Sequence, residues 1–115
     1  MTPTQRTNKY LKEQGYVSGI VERWIPRPGG GFRQDLFGII DIIALKLGET
    51  VGVQSCGQNF AEHDRKILAS EYSRLWLEAG NELWLIGWRK LKVKRGGKAT
   101  KWTPRIKEYT LQDFQ

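Results

Sequence analysis

Apolar and polar positions change their period several times along this chain, and each change predicts an element. Thr2-Pro3-Thr4-Gln5 places a capping residue, a proline at the first helical position and a glutamine that closes a capping box, so a helix is expected from there to the stop at Gly15. Tyr16 to Ile25 alternates loosely and predicts a strand, and the run Pro26-Arg27-Pro28-Gly29-Gly30-Gly31 predicts a loop. Nothing helical follows those glycines, which excludes a dinucleotide or P-loop motif. Leu36 to Leu45 is apolar on both parities and predicts a central strand covered on both faces, with Asp41 inside it. After a turn at Lys46 to Glu49, Thr50 to Cys56 returns as a second short strand.

Asn59-Phe60-Ala61-Glu62 again has capping-box spacing. Leu68, Tyr72, Leu75, Trp76 and Ala79 then predict the buried face of one helix that ends at Gly80. Leu83 to Trp88 is another apolar strand, and the helix before it allows it to lie parallel to its predecessor in one sheet. Gly96-Gly97 turns the chain, and Lys101 to Thr110, carrying Pro104, predicts a polar edge strand. The expected order is αβββαββ, an α/β (α+β) mixed sheet flanked by helices, in one domain spanning residues 1–115 with a C-terminal hairpin over 88–110.

Composition narrows the classes. The 115 residues are 39% hydrophobic and 11% aromatic, which fits one folded domain with a modest core. The longest apolar run is far short of the roughly 20 residues a membrane span needs, so no membrane association is expected. The first ten residues lack a signal-peptide core, and the single Cys56 cannot form an intramolecular disulfide, which points to a cytoplasmic setting. Net charge is +7, and its distribution says more than its total. Residues 1–88 hold ten bases and ten acids, whereas Arg89, Lys90, Lys92, Lys94, Arg95, Lys98, Lys101, Arg105 and Lys107 follow with no acid among them. Clustered charge of this kind suits a polyanion, because each neutralised phosphate releases condensed counterions; the other reading is a solvated tail.

Asp41 needs a physical reason. A carboxylate amid apolar neighbours is costly unless it is paired or bound to a cation, so an arginine salt bridge and a metal site are the two readings. On the next strand Gln54 is the lone long polar side chain on its face, placed to meet Asp41 across the hairpin, or else to face the surface. One histidine and one cysteine cannot build a zinc site, and Ser55 with His63 lacks a triad acid. The five tryptophans read mostly as core; Trp88 and Trp102 flank the basic turn and either pack or stack on bases.

Arg33-x-Asp35-Leu36-Phe37-Gly38-x-x-Asp41-Ile42-Ile43-Ala44-Leu45, followed by Val53-Gln54-Ser55-Cys56, resembles the PD-(D/E)XK nuclease superfamily, particularly its small Holliday-junction-resolvase-like members from phages and prokaryotes. The resemblance implies a restriction-endonuclease-like sheet and a metal-dependent DNA endonuclease, acting as a homodimer with Mg²⁺ or Mn²⁺ and selective for junction or branched DNA. It assigns Asp41 as the first metal ligand and Gln54 to the position of the second acid; Cys56 falls where the family carries lysine. Some relatives carry that lysine on the next helix, where Lys66 stands three residues after His63, and both also read as surface charge. Glu22 and Asp35 are possible further acids. Arg33, His63, Arg89, Lys90, Lys92, Lys94, Arg95, Lys98 and Lys101 are the expected nucleic-acid contacts. The rival expectation is a nucleic-acid-binding module on the same fold, its site degraded at Gln54 and Cys56.

Overall fold

The computed structural model describes residues 1–115. Helix α1 runs Pro3–Glu13, then strands β1 Val17–Ile20, β2 Arg23–Arg27, β3 Gly30–Gln34, β4 Ile42–Lys46 and β5 Glu49–Cys56. Helices α2 Phe60–Ala69 and α3 Glu71–Glu78 lead to β6 Glu82–Lys92 and β7 Thr100–Tyr109, and a 3₁₀ turn at Leu111–Phe114 ends the chain. Five strands form one mixed sheet in the order β1-β4-β5-β6-β7, while β2 and β3 pair only with each other. The fold is a compact mixed α/β arrangement of that sheet and three helices.

Each pairing follows from its connection. Short turns make β4–β5 and β6–β7 antiparallel, whereas β5 and β6 are parallel because α2 and α3 carry the chain back between them. β7 is an edge strand and tolerates Pro104, which stands opposite Trp88.

The central strand β5 is buried on both faces, and its alternation divides the core. Val51 and Val53 pack with Leu11, Ile42, Ala44, Ile86 and Trp88 beneath α1. Cys56 packs on the opposite face with Ile39, Ile40, Phe60, Ile67, Leu83 and Leu85. A side chain at Gly52 would have to displace its neighbours there: a Cβ would come within 2.6 Å of Ile40 Cδ1 and 3.0 Å of Trp76. α1 is started by the expected capping box, with the Gln5 amide on Thr2 Oγ1 at 3.1 Å and the Thr2 amide on Gln5 Oε1 at 3.0 Å. It is tied to the sheet by a buried bond, Trp88 Nε1–H donating to Thr7 Oγ1 at 2.8 Å.

Several expectations are corrected. The glycine-rich run is not a loop: Arg27 pairs with Gly30 and Pro26 with Gly31, so only Pro28-Gly29 turns the hairpin. A two-stranded ribbon accepts Pro26 because each strand has an unpaired edge, and Gly31 is needed because a Cβ would meet the Trp24 ring at 2.5 Å. Tyr16 to Ile25 is accordingly split between β1 and β2. The Leu36–Leu45 run is also divided, into a tight loop and β4, and Asp41 stands just before the strand. Asn59 makes no side-chain cap, and the single expected helix breaks at Ser70, whose hydroxyl accepts from the Tyr72 amide at 3.3 Å and starts α3. That break turns the expected apolar face outward, leaving Leu68, Tyr72 and Leu75 at 37%, 45% and 57% exposure. Trp24 and Trp102 are likewise exposed rather than core.

Candidate functional site: an acidic cluster at the feet of a hairpin

The β2–β3 hairpin stands between two acids. Arg23 and Gln34 are its last paired residues, and Glu22 and Asp35 flank them on either strand. Both feet are held close to Asp41 by backbone bonding. The Asp41 carbonyl accepts from Val21 N at 2.8 Å and from Glu22 N at 3.2 Å, while the Asp41 amide donates to Val53 O at 2.8 Å. Two successive amides on one carbonyl end the regular ladder, as at a bulge, and steer Glu22 toward the sheet's end. On the other foot, Leu36 N donates to Ile40 O at 2.8 Å and Ile40 N returns to Leu36 O at 3.0 Å, closing a tight loop between Asp35 and Asp41. Phe37 takes a left-handed conformation in that loop, φ 56, and stacks on Tyr72 with ring centroids 5.5 Å apart. A non-glycine residue held there costs on the order of 1 kcal/mol, which the loop's closure offsets.

The result is a trio of carboxylates, Glu22, Asp35 and Asp41, with ligand oxygens all within 4.8 Å of one another. Gln54 reaches them from β5: its Nε2 donates to Asp41 Oδ1 at 3.0 Å, Asp41 Oδ2 at 2.9 Å and Asp35 Oδ2 at 3.2 Å. The Ser55 amide donates to Asp41 Oδ2 at 2.7 Å. Lys66, from α2, donates to Gln54 Oε1 at 3.3 Å and lies 3.6 Å from Asp35 Oδ2. Arg33, from β3, pairs with Glu22 at 3.2 Å.

The distribution of charge singles out Asp41. Arg33 serves Glu22 and Lys66 serves Asp35, whereas Asp41, 2% exposed, has no basic partner. Its carboxyl is pushed up to about 8, first by burial and then by the hydrogen bond its protonated form makes to Asp35, against the opposing pull of the Ser55 amide. Glu22 is raised too, chiefly by burial, although Arg33 pulls it down. Burial beside Asp35 and Glu22 therefore favours the protonated form of Asp41 unless a cation offsets its charge. A hard divalent ion fits this donor set, which is all oxygen once the Gln54 amide turns its Oε1 inward.

Cys56 cannot serve as a cationic anchor. It is 3% exposed, and its thiol is pushed up to about 11 by burial and the nearby Asp41 charge, with Arg105 opposing. Lys66 supplies the positive charge beside the acids instead, from the next helix.

The other expected residues separate into groups. His63 Nδ1 lies 3.1 Å from Asn59 O and makes no hydrogen bond or ion pair to the acids. Arg89, Lys90 and Lys92 lie on the exposed half of β6, Lys94, Arg95 and Lys98 on the connection at the hairpin's tip, and Lys101 on β7. Lys107 belongs to the body, donating to Asp64 at 2.8 Å beside the Tyr109 hydroxyl at 2.6 Å. Glu22 and Asp35 hold a more central place than expected. Their sequence signal is symmetry: each directly flanks the arginine- and glycine-rich segment, which mattered only once that segment was known to be a hairpin.

No family model matches this chain, and neither a curated protein nor a solved structure resembles it significantly.

Proposed function

We propose that this protein is a metal-dependent endonuclease that hydrolyses DNA phosphodiesters, built on the restriction-endonuclease-like plan of the PD-(D/E)XK nucleases and selective for branched or junction DNA. The observation that carries the reading is the carboxylate trio in which the buried Asp41 alone lacks a basic partner. Asp41, Asp35 and Glu22 would hold Mg²⁺ or Mn²⁺, with Gln54 completing the set through its amide oxygen. Such an ion, when bound, polarises the phosphate and lowers the pKa of the attacking water. Lys66 stands beside Asp35 and offers its ammonium to the charge that develops on the phosphate. Arg89, Lys90, Lys92, Lys94, Arg95, Lys98 and Lys101 carry the backbone of the DNA. Cutting two strands calls for two sites, so the working unit in this reading is a homodimer.

A second reading has an observation of its own. Gln54 Nε2 and the Ser55 amide already satisfy Asp41 without a cation, as in a nucleic-acid-binding module that has lost catalysis. The two readings separate in a cleavage assay on branched, duplex and single-stranded DNA with Mg²⁺ or Mn²⁺. The nuclease reading predicts cleavage that disappears in Asp41→Asn while DNA binding persists. Intact binding with no cleavage of any substrate establishes the second reading instead.

A further inference from the structure

Beyond the carboxyl end of β5, away from the acids, a cavity of ≈ 450 Å³ opens between the start of α1 and the root of the β6–β7 hairpin. Arg6, Arg89, Lys90, Trp102 and Gly57 are among its walls, and no acid is. It shares Gly57, Trp88 and Arg89 with a second cavity of ≈ 260 Å³ that reaches Arg105. Arg6, Arg89, Lys90 and Arg105 have no carboxylate within ion-pair distance, and their side chains make no hydrogen bond. This contrasts with Arg33, Lys66 and Lys107, each of which has an acid. Arg6 and Lys90 instead converge on one ring, at 4.1 Å and 5.2 Å from the Trp102 centroid, while Arg105 rests 4.0 Å from that of Phe60. Interactions of this kind are weak at exposed sites and leave like charges facing one another in a half-enclosed space. An anion between them removes the repulsion.

We propose that this cleft is a second nucleic-acid subsite, which takes one unpaired nucleotide: its phosphate lies among Arg6, Arg89 and Lys90, and its base against Trp102. The inference deepens the nucleic-acid reading above and rests on it for the substrate class, but uses no residue of the acidic cluster. A concave space of this size admits a nucleotide and excludes a duplex. The indole, 41% exposed, offers a stacking surface that only a base outside the helix can use. When a phosphate draws Arg6 away from the ring, the base takes the guanidinium's place. Lys90 stands five residues past Leu85, the β6 partner of Gln54, about 17 Å at strand rise, or about five nucleotides of a stacked strand. A substrate that fills both places is unpaired a few nucleotides from the phosphate at the acids, which gives the protein a way to select branched over continuous DNA.

The test uses the full chain in EDTA, so that no cleavage intervenes, with short oligothymidylates bearing a 5′-phosphate or a 5′-hydroxyl and a blunt duplex as probes. Trp102→Ala is expected to weaken oligothymidylate binding roughly 5- to 150-fold while duplex affinity stays within about twofold. Trp102→Tyr restores most of that affinity. Arg6→Ala with Lys90→Ala lowers the single-strand salt slope by about 0.7 for each phosphate no longer neutralised. A preference for the 5′-phosphate identifies a strand end as occupant, and equal affinity identifies an internal phosphate. Equal effects of Trp102→Ala on single strand and duplex, or no effect on either, overturn the proposal. Trp102-dependent binding in EDTA, together with no cleavage once Mg²⁺ or Mn²⁺ is supplied, would sink only the nuclease reading; metal-dependent cleavage by a protein whose Trp102→Ala form binds both probes normally would sink only this one.

Discussion

Replacing Asp41 by asparagine should make the metal-free protein more stable at alkaline pH. Asp41 is 2% exposed, and Glu22 and Asp35 place carboxylate oxygens within 4.8 Å. At that separation two like charges repel by about 3 kcal/mol at an effective dielectric of about 20. Arg33 and Lys66 offset the charges of Glu22 and Asp35, so ionising Asp41 adds one uncompensated negative charge, which the Ser55 amide and Gln54 only partly stabilise. In the folded chain its pKa is pushed up to about 8 from the ordinary 3.8. Between those values the unfolded chain has released a proton that the native state retains, so this group's contribution to stability falls as pH rises through the window and levels off above it. Asparagine keeps the shape and an oxygen for the Ser55 amide but cannot ionise. Thermal unfolding followed by circular dichroism in EDTA, from about pH 5 to about pH 9, should show the wild-type transition losing ground to the variant by a few kcal/mol, or roughly 10 °C. Saturating Mg²⁺ should then restore the wild type, by about 2.7 kcal/mol at a hundredfold excess over Kd, and leave the variant unmoved. Parallel pH profiles for the two proteins, or equal stabilisation of both by Mg²⁺, would show that Asp41 neither carries this penalty nor holds the ion.

Three further outcomes are expected. Thr7→Val leaves the buried Trp88 indole N–H without its 2.8 Å acceptor and should cost about 1–3 kcal/mol in chemical denaturation, with the denaturant slope unchanged. Lys66→Ala removes the ammonium beside Asp35 and should slow cleavage at least about 100-fold in single-turnover kinetics, while calorimetry shows Mn²⁺ binding unchanged or tighter because no ammonium then competes for Asp35. Exchanging Lys94, Arg95 and Lys98 for glutamine should lower the salt slope of duplex binding by about 0.9 for each phosphate those side chains neutralise; a weaker but equally salt-dependent complex would contradict that assignment.

Much of the fold was legible where local chemistry and burial agree. The Thr2–Gln5 capping box, the alternation of β5, the parallel return of β6 after the helices and the proline-bearing edge strand all follow from short-range patterns. The meeting of Gln54 with Asp41 was legible for the same reason, since a strand's parity fixes which side chains can face a neighbour. Two features were hidden by composition. Pro26 and Gly30-Gly31 look like loop residues, yet an isolated ribbon accepts a proline and Gly31 makes room for Trp24. The periodicity of Leu68, Tyr72, Leu75 and Trp76 spans the two helices, but the kink at Ser70 turns much of that face to solvent. Glu22 and Asp35 were visible as acids but not as partners, because their proximity is created by the hairpin between them and by the paired amides on the Asp41 carbonyl.

The proposed nuclease requires that a divalent cation at the Glu22–Asp35–Asp41 cluster turn bound DNA into cleaved DNA. The most direct measurement is the single-turnover rate on a branched DNA as Mg²⁺ is titrated, for the wild type and for Asp41→Asn, at a pH above that at which Asp41 ionises. A saturable, Mg²⁺-dependent rate is expected in the wild type and none in a variant that still binds the DNA. Cleavage that is independent of the metal, or equal in the two proteins, would contradict the requirement.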